Sequence, residues 1–500
     1  MESIKLNKAN LIKVNKGVKL PLYTGKDLIP SIVHIGVGHF HRAHQAFFLD
    51  ELLNRGLCRE GIFGINLVPD SLSQGNMRLP LGDALKEQDF LYTLITKDPD
   101  GRSDLKIIAS IIGYMNAIEN KVKAIIRVAD EKVSLITLTV TEGGYFYDKE
   151  SGKPNIKEEF VQWDLKNPEN PKSAPAFLAS VLKRRYDENK KPLTIMCCDN
   201  LPENGKVLES CVQFFCQEHF PEILSWVEDN ISFPSSMVDR IVPGTTGALI
   251  KELEERTNIN DNWPVCGEDY IQWVLEDNFR TTIPDYAACG VQIVKNVEPY
   301  ELMKMRLLNG SHSAMAYISY LLGCHLVNEA IGFPLINSFI RNHYMEEVSP
   351  TLELVPSMDI EVYKNTLIRR FSNSNISDTI LRLCFNGSTK IPNFILKPLS
   401  ELVHRGLPHS AIVFALSAWA RFLSGKDEEG KDIPIDDVNI QVMSSVARNA
   451  QKDPRSFLIS AGLQKLGEAQ LISVADIFKK HLDSIYQKGI RASLEEFLKT

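Results

Sequence analysis

The fold is decided by the stretch Ser31-Ile32-Val33-His34-Ile35-Gly36-Val37-Gly38, an apolar run that ends at two closely spaced glycines. A helical pattern follows it, from His44 to Leu53. Strand, glycine turn and helix in this order predict a nucleotide-binding βα unit, in which the first glycine makes the turn and the second lets a pyrophosphate approach the backbone. The third position of that fingerprint is His41 instead of glycine, so the motif is less specific than a complete one.

Further apolar runs in the first half of the chain also stop at polar residues. They are Gly61 to Val68 before Pro69-Asp70, Leu135 to Thr141 before Glu142, and Leu193 to Cys198 before Asp199-Asn200. Carboxyl ends of parallel strands share one edge of a sheet, and ligands bind in the crevice along that edge. We therefore predict a Rossmann-type, mostly parallel sheet. A pair of runs around Asp100-Gly101, Leu91 to Thr96 and Leu105 to Ile111, predicts a hairpin beside it.

Asp70 is the candidate for recognition of the cofactor's adenosine ribose. A carboxylate there would accept hydrogen bonds from the ribose hydroxyls and repel a 2′-phosphate, which favours NAD over NADP. Asp70 lies further from Gly36 than the usual interval of about 20 residues, so a solvated loop carboxylate is the alternative interpretation.

The second half of the chain has a different character. Helical periodicities occur at residues 301–322, 360–372, 410–424 and 472–498, after a last strand-like run from Gly290 to Val297. The sequence therefore predicts an α/β chain of two domains, a Rossmann-type NAD-binding domain over residues 1–297 and an all-helical substrate domain over residues 298–500.

Lys304, Asn309 and His312 form the most distinctive polar constellation of the helical half. At about 100° per residue, an α-helix places Asn309 about 140° and His312 about 80° from Lys304, while Glu301 falls at about 60°. Met303, Leu307 and Ala314 point elsewhere. Burial lowers a lysine pKa readily, so this arc could place a general base beside groups that bind substrate oxygens. The alternative is a turn at Asn309-Gly310, which would end the helix.

Composition excludes several classes of function. The 500 residues are 44% apolar and carry a net charge of −7 with mixed signs, which argues against nucleic-acid binding. No apolar run approaches the 18 or so residues needed to span a bilayer, and the polar N-terminus lacks a secretory core, so we expect a cytoplasmic protein without membrane contact. The lysine-rich first nineteen residues leave an organelle presequence as the alternative.

The cysteines and histidines do not predict a metal site. None of the nine cysteines forms a C-x-x-C pair, and a chain of this length needs no disulfide framework. The cluster His39, His41 and His44 could bind a metal, but Arg42 lies among them and no carboxylate is close in sequence before Asp50. We therefore expect no metal cofactor.

Six ordered blocks give the chain a resemblance to a known family. They are Gly36-Val-Gly-His-Phe-His-Arg-Ala-His44, Thr139-Val-Thr-Glu-Gly-Gly-Tyr145, Cys198-Asp-Asn-Leu-Pro-Glu-Asn-Gly205, Met237-Val-Asp-Arg-Ile241, Gln272-Trp-Val-Leu-Glu-Asp277 and Lys304-x4-Asn309-Gly-Ser-His312. Across roughly residues 25 to 490 the chain resembles the polyol-specific long-chain dehydrogenases. Six blocks in order are far more specific than any one of them.

The resemblance implies a metal-independent, NAD-dependent interconversion of D-mannitol and D-fructose. It implies that Lys304 is the general base, that Asn200 and Asn309 bind the substrate oxygen, and that Glu301 releases the proton to water. By the same resemblance, substrate hydroxyls are bound by His312, Asp239, Arg382 and Lys390. The residues expected at the cofactor are Gly36, Gly38, Phe40, His41, Arg42, Asp70, Thr141 and Glu142.

Each implied role has a structural alternative. Asn200 could form an Asx turn, Asp239 could pair with Arg240, and Arg382 and Lys390 could be surface charges beside Asn386-Gly387. The chain also departs from the family, with His39 in place of a small residue and Glu268-Asp269-Tyr270 in place of Glu-Pro-Phe.

Alternative functions stay open, because the Glu268-Asp269-Tyr270 departure bears on the choice of polyol, the cationic Arg382 and Lys390 could bind a uronate carboxylate, and fold alone does not establish catalysis. They are reduction of fructuronate or tagaturonate, oxidation of another polyol such as arabinitol or sorbitol, and a dinucleotide-binding regulatory protein without catalysis. The expected partner is a small polyol or ketose, with the chain a monomer or weak oligomer.

Overall fold

The computed structural model describes residues 3–70, 79–149 and 151–499. The chain divides into two units, Met1–Glu298 and Pro299–Thr500. The strands of the described residues lie in the first unit, where β-branched and aromatic residues favour extended backbone. They are β1 Ile4–Lys5, β2 Ile29–Ile35, β3 Glu60–Asn66, β4 Tyr92–Lys97, β5 Ser103–Ile108, β6 Ile111–Asn116, β7 Leu135–Leu138, β8 Tyr147–Asp148, β9 Lys153–Pro154, β10 Leu193–Cys197, β11 Ile231–Ser232, β12 Ser236–Asp239, β13 Ile259–Asn260, β14 Val265–Glu268, β15 Gln272–Glu276 and β16 Gln292–Val294.

A six-stranded parallel sheet with the order β11-β10-β7-β2-β3-β6 organises the first unit. The strand order reverses between β2 and β7, so the crevice at their carboxyl ends is the switch point where doubly wound sheets bind ligands. The predicted Rossmann-type sheet is confirmed. The strand β6 was missed, because the sequence interpretation ended the hairpin at Ile111 and assigned no strand beyond it.

Helices cover both faces of this sheet. Val33 and Ile35 of β2 pack into one apolar core and Ile32 into the other, as the alternation of a buried strand requires. The helices of the first unit are α1 His39–Ala43, α2 Gln45–Asn54, α3 Leu81–Glu87, α4 Lys121–Val128, α5 Glu159–Asp164, α6 Ala174–Asp187, α7 Asn204–His219, α8 Leu224–Asn230 and α9 Gly247–Thr257, with 3₁₀ turns at Lys8–Lys13, Gly25–Asp27, Glu142–Tyr145, Pro221–Ile223 and Tyr286–Cys289.

Two three-stranded sheets and the two-stranded pairs β1-β13 and β8-β9 make up the other strands of the first unit in the described ranges. The predicted hairpin is present as the antiparallel pair β4 and β5, and β14 adds to β4 in parallel. The other sheet has the order β12-β15-β16. It places Asp239, the last residue of β12, opposite Gln272.

The second unit is helical, as predicted. Its helices are α10 Glu298–Met303, α11 Gly310–Leu321, α12 Val327–Gly332, α13 Pro334–Ser338, α14 Met345–Val348, α15 Ile360–Phe371, α16 Ile380–Cys384, α17 Gly387–Ile391, α18 Lys397–His404, α19 Ser410–Leu423, α20 Ile440–Asn449, α21 Pro454–Leu458 and α22 Glu468–Phe497, with a 3₁₀ turn at Ser349–Thr351. Four π turns interrupt them, at Lys304–Asn309, Phe339–Tyr344, Pro392–Leu396 and Ile459–Leu463.

The predicted helix over residues 301–322 is therefore not one regular α-helix. It consists of α10, the π turn Lys304–Asn309 and α11. None of the helices in the described ranges combines the length and hydropathy needed to cross a bilayer.

Candidate active site

The glycine turn after β2 has the backbone that its sequence predicts. Gly36 adopts φ 96°, donates to the Ile65 carbonyl at 2.8 Å, and lies so close to Thr139 that a Cβ would stand 2.1 Å from the Thr139 carbonyl oxygen. A side chain at Gly36 is excluded by both conformation and space. At Gly38 a Cβ would meet only the Gly36 carbonyl, at 3.8 Å, so this position stays accessible to a ligand.

His41, at the third fingerprint position, serves packing. Its ring is buried and stacks on the ring of His34, with centroids 3.4 Å apart. His34 in turn contacts the hydroxyls of Thr137 and Thr139 at 2.7 and 2.8 Å, and burial lowers its pKa to about 3. Neutral, stacked imidazoles thus fill the space that a third glycine leaves in other sheets of this type.

The other side chains of this block also face the protein interior. Arg42 is fully buried and donates to the Gly38 and Trp263 carbonyls, while burial lowers its pKa to about 10. Phe40 stacks on His44 at 4.8 Å. We therefore assign any cofactor contact of His41 and Arg42 to their backbone.

Asp70 is neither isolated nor simply solvated. Its Oδ1 accepts from the amides of Asn66 and Asn116 at 3.1 Å and from the Tyr114 hydroxyl, and its Oδ2 accepts from the Gly82 N–H at 3.1 Å. Asn66 also accepts from the Val37 N–H at 2.8 Å. This chain of hydrogen bonds fixes the carboxylate relative to the glycine turn.

Asp199 organises the carboxyl ends of β7 and β10. Its carboxylate accepts from the backbone N–H groups of Val140 and Thr141 at 3.0 and 2.9 Å and from the Tyr145 hydroxyl at 2.6 Å. Thr141 has φ 65° and ψ 161°, a conformation that is costly for any residue except glycine. Such strain persists only where the surroundings impose it, and the two bonds to Asp199 do so.

Asn200 and Asp239 each follow or end a strand of the first unit. Asn200 is exposed, three residues after β10, and Asp239 is 3% exposed at the end of β12 in the neighbouring three-stranded sheet. The neighbouring Arg240 donates to the carbonyls of Glu268 and Ala43 at 3.0 and 2.6 Å and to the Thr96 hydroxyl at 3.0 Å. Arg240 therefore joins three separate segments behind Asp239.

In the second unit, Lys304 is the first residue of a π turn. Lys304 is 7% exposed, while Glu301, Asn309 and His312 are partly exposed. Met303, Leu307 and Ala314 are fully buried. Of the four polar residues of the predicted arc, Glu301, Asn309 and His312 are thus more exposed than the three apolar residues, whereas Lys304 is buried with its neighbours.

The angles of that arc need correction, because a π turn closes with i→i+5 bonds and holds more than four residues. Each step is then below about 90°, which brings Asn309 within about 90° of Lys304 instead of about 140°. His312, three α-helical residues further, falls within about 60° of Lys304. Helix geometry therefore predicts that the interruption brings the polar groups closer together.

Lys390 contacts the backbone at Arg382. The Lys390 ammonium is 3.4 Å from the carbonyls of Arg382 and Leu383, at the end of α16. Arg382 donates from Nε and one terminal nitrogen to the two oxygens of Asp378, at 2.5 and 2.6 Å. Asp378 is 6% exposed, so this bidentate pair has a rigid acidic partner.

Sequence reasoning missed the residues that orient the predicted ones. They are Asn66, Tyr114, Asn116, Asp199 and Asp378. A partial signal existed, since Asn66 and Asn116 end strands β3 and β6, and Asp199 lies between Cys198 and Asn200. The departure at His39 places an imidazole 6.0 Å from the Trp263 ring, where burial lowers its pKa to about 4.

Comparison with known families accounts for both units. Residues 30–287 match the mannitol dehydrogenase Rossmann domain, and residues 296–484 match the mannitol dehydrogenase C-terminal domain. The chain belongs to the mannitol dehydrogenase family. Mannitol 2-dehydrogenase of Aspergillus terreus is 37% identical over 92% of each chain, and that of Aspergillus oryzae is 35% identical over 100% of each.

Solved structures of the mannitol dehydrogenase family share the fold over nearly the whole chain. The Pseudomonas fluorescens mannitol 2-dehydrogenase, in a ternary complex with NAD and D-mannitol, has a TM-score of 0.89 and 34% identity, covering 99% of this chain and 100% of its own. A substrate-free D-sorbitol dehydrogenase has a TM-score of 0.87 and 30% identity, covering 98% and 100%.

Proposed function

We propose that this member of the mannitol dehydrogenase family is an NAD-dependent, metal-independent oxidoreductase that interconverts D-mannitol and D-fructose. The proposal rests on its similarity, over nearly its whole length, to a mannitol 2-dehydrogenase solved with NAD and D-mannitol. We propose a cofactor role for residues 1–297 and a substrate role for residues 298–500.

The residues at the switch point of the sheet fit a dinucleotide. Gly38 leaves space beside the turn where a pyrophosphate would approach, and the fixed Asp70 carboxylate would accept from the ribose hydroxyls and repel a 2′-phosphate. Phe40, Thr141 and Glu142, with the backbone of His41 and Arg42, complete the proposed cofactor residues. NAD supplies a hydride acceptor for the alcohol carbon.

Lys304 is the proposed general base. In mannitol oxidation its amine takes the proton of the C2 hydroxyl as the C–H bond at the same carbon breaks, and Glu301 passes that proton on to water. A positioned base of this kind contributes about 10² to 10⁴-fold to the rate. Lys304 is 7% exposed, so its amine has little contact with water.

Asn200 and Asn309 are proposed to donate hydrogen bonds to the same oxygen as it becomes a carbonyl. Two amide donors and a lysine can supply the charge stabilisation for which other dehydrogenases use a metal ion. His312, Asp239, Arg382 and Lys390 are proposed to bind the remaining hydroxyls. Each of these side chains can donate or accept hydrogen bonds with a neutral polyol.

The pairing of Arg382 supports a neutral substrate over a uronate. A carboxylate is bound most strongly by a guanidinium that offers two parallel N–H groups, and Asp378 already accepts from Nε and one terminal nitrogen. A uronate would also experience the charge of Asp378. We therefore propose mannitol and fructose as substrates ahead of fructuronate and tagaturonate.

A substrate panel tests this proposal. NADH absorbance is followed with D-mannitol, D-sorbitol and D-arabinitol in oxidation and with fructose and fructuronate in reduction, with and without a chelator. We expect the highest kcat/KM in each direction with mannitol and fructose, unchanged by the chelator. Reversible loss of activity with the chelator would contradict the metal-free mechanism. Absence of turnover with every substrate would favour the regulatory alternative.

A further inference from the structure

The π turn at Lys304–Asn309 leaves one backbone carbonyl without its α-helical partner. The Gly310 N–H donates to the carbonyls of Met305 and Leu307. In an uninterrupted α-helix it would donate to the carbonyl of Arg306, four residues back. A buried carbonyl without a donor costs about 1 to 3 kcal/mol, so the turn needs another group at this point.

Tyr344 supplies that group. Its hydroxyl donates to the Arg306 carbonyl at 3.2 Å from the end of the π turn Phe339–Tyr344. The Tyr344 side chain is fully buried, and burial raises the pKa of its phenol, so the hydroxyl keeps its proton and remains a donor. The contact joins two segments that are 38 residues apart.

Gly310 makes room for this hydroxyl. Its backbone is helical, with φ −63°, so conformation alone does not require glycine. A Cβ there would lie 2.1 Å from the Tyr344 hydroxyl oxygen and 3.3 Å from the Phe394 carbonyl oxygen. Glycine within a helix costs about 1 kcal/mol relative to alanine, and the space it leaves for Tyr344 explains its presence.

The side chain of Arg306 anchors the same turn from its other side. It donates to the Thr351 carbonyl and forms a bidentate pair with Glu401, at 2.8 and 2.5 Å. Arg306 therefore has its carbonyl fixed by Tyr344 and its guanidinium fixed by Glu401. These contacts leave the turn with few ways to relax.

We infer that Tyr344 is a positioning residue. Its hydroxyl, for which Gly310 leaves space, stabilises the π turn that places Lys304 and Asn309 on one side of the helix. The inference rests on the proposed function of Lys304 and Asn309. Without the hydroxyl, a hydrogen bond from the Gly310 N–H to the Arg306 carbonyl becomes favourable, because it gives that carbonyl a donor. The segment then becomes α-helical and the two side chains separate toward about 140°.

Tyr344→Phe tests the inference, because it removes the hydroxyl and keeps the ring. We expect kcat for mannitol oxidation to fall at least tenfold, while the KM for NAD and the affinity for NADH change less than twofold. Tyr300→Phe, on the neighbouring α10, is the matched control. The substitution removes a tyrosine hydroxyl that donates to a backbone carbonyl at 2.9 Å. We expect its kcat to remain within twofold of the parent.

A double-variant cycle tests the spatial part of the inference. Gly310→Ala should lower the Tm, because its methyl group meets the Tyr344 hydroxyl. Addition of Tyr344→Phe should recover part of that Tm without recovering kcat. Gly332→Ala is the control, because a Cβ there meets nothing within 4 Å. If Gly310→Ala lowers the Tm by the same amount in the parent and in Tyr344→Phe, the assigned contact is overturned.

A crystal structure of Tyr344→Phe gives a readout that does not depend on turnover. We expect the Gly310 N–H to donate to the Arg306 carbonyl in the variant. Retention of the π turn, or a kcat within twofold of an active parent, would overturn the inference. Failure of the proposed function would instead appear as absence of mannitol turnover in the parent.

Discussion

Asp378 holds the guanidinium of Arg382, a proposed substrate residue. The two side chains share parallel hydrogen bonds, and the carboxylate is almost buried, so it stays beside the guanidinium. Arg382 itself is 59% exposed, where solvent and salt screen its charge. We therefore propose that the choice between a neutral polyol and a uronate depends on Asp378, which is not among the substrate residues that the resemblance implies.

Asp378→Asn is predicted to shift substrate preference toward a uronate. Asparagine keeps one acceptor for Arg382 but removes the negative charge, so a substrate carboxylate gains attraction that neutral fructose does not. We expect the ratio of kcat/KM for fructuronate to that for fructose to rise at least tenfold at low salt and to decline as salt increases. Asp453→Asn, at the exposed start of α21, is the control. An unchanged ratio would remove Asp378 from substrate selection.

At the element scale, Glu347 caps the buried helix α19 from a distant segment. Its carboxylate accepts from the N–H groups of Ala411 and Ile412 at 2.8 and 3.0 Å. Burial raises the pKa of Glu347 to about 7, and the hydrogen bonds from the helix N-terminus act in the opposite direction. The Glu347 carboxyl therefore binds a proton more tightly in the folded protein than in the unfolded chain, where its pKa is near 4.5.

A pH series of unfolding free energies tests this cap. Because the folded pKa is raised, the stabilisation contributed by Glu347 is complete below about pH 4.5. It is lost as pH rises to about 7, and the free energy of unfolding falls by up to about 3 kcal/mol before solvent screening. Glu347→Gln should remove that decline from the pH dependence. The absolute free energy of unfolding will also change, since glutamine offers one oxygen to two N–H donors. The quantity to compare is therefore the slope of the unfolding free energy against pH.

Glu329→Gln is the matched control for Glu347. Glu329 also accepts from two backbone N–H groups at a helix start, those of His325 and Leu326, but it is exposed and these bonds lower its pKa. Its contribution is present at neutral pH and is lost as pH falls. The same change of slope in both variants would contradict the assignment to Glu347.

The strands and long helices could be predicted from the sequence because their signals are local. Apolar runs mark β2, β3, β7 and β10, and periodicity marks α15, α19 and α22. The π turn Lys304–Asn309 could not be predicted, because a hydroxyl 38 residues away from Arg306 determines its hydrogen bonding. The ladder of β6 beside β3 likewise depends on a distant pairing.

The candidate site was predictable in its residue types and not in its supporting contacts. The blocks carrying Lys304 and Asn200 are contiguous in sequence and therefore recognisable, and Asp70 follows an apolar run. The supporting contacts are those of Tyr114 with Asp70, Asp199 with Thr141 and Tyr344 with Arg306, and each joins residues at least 38 positions apart. Patterns within a short window contain no information about such partners.

At the scale of the whole molecule, the proposed chemistry draws on both units. The glycine turn, Asp70 and Asn200 belong to Met1–Glu298, and Lys304, Asn309 and His312 belong to Pro299–Thr500. Family models match both units, and solved relatives match the chain over nearly its full length. The proposed division of labour assigns cofactor binding to one unit and proton transfer to the other, so the two activities should be separable by mutation.

Lys304→Ala provides the most direct measurement of the central claim. The rate of NADH formation from D-mannitol is compared with that of the parent, and NADH binding is titrated by fluorescence in the same preparations. We expect turnover to fall by about 10² to 10⁴-fold, since the proton acceptor is removed, while NADH affinity stays within twofold. Normal turnover by Lys304→Ala would contradict the lysine mechanism.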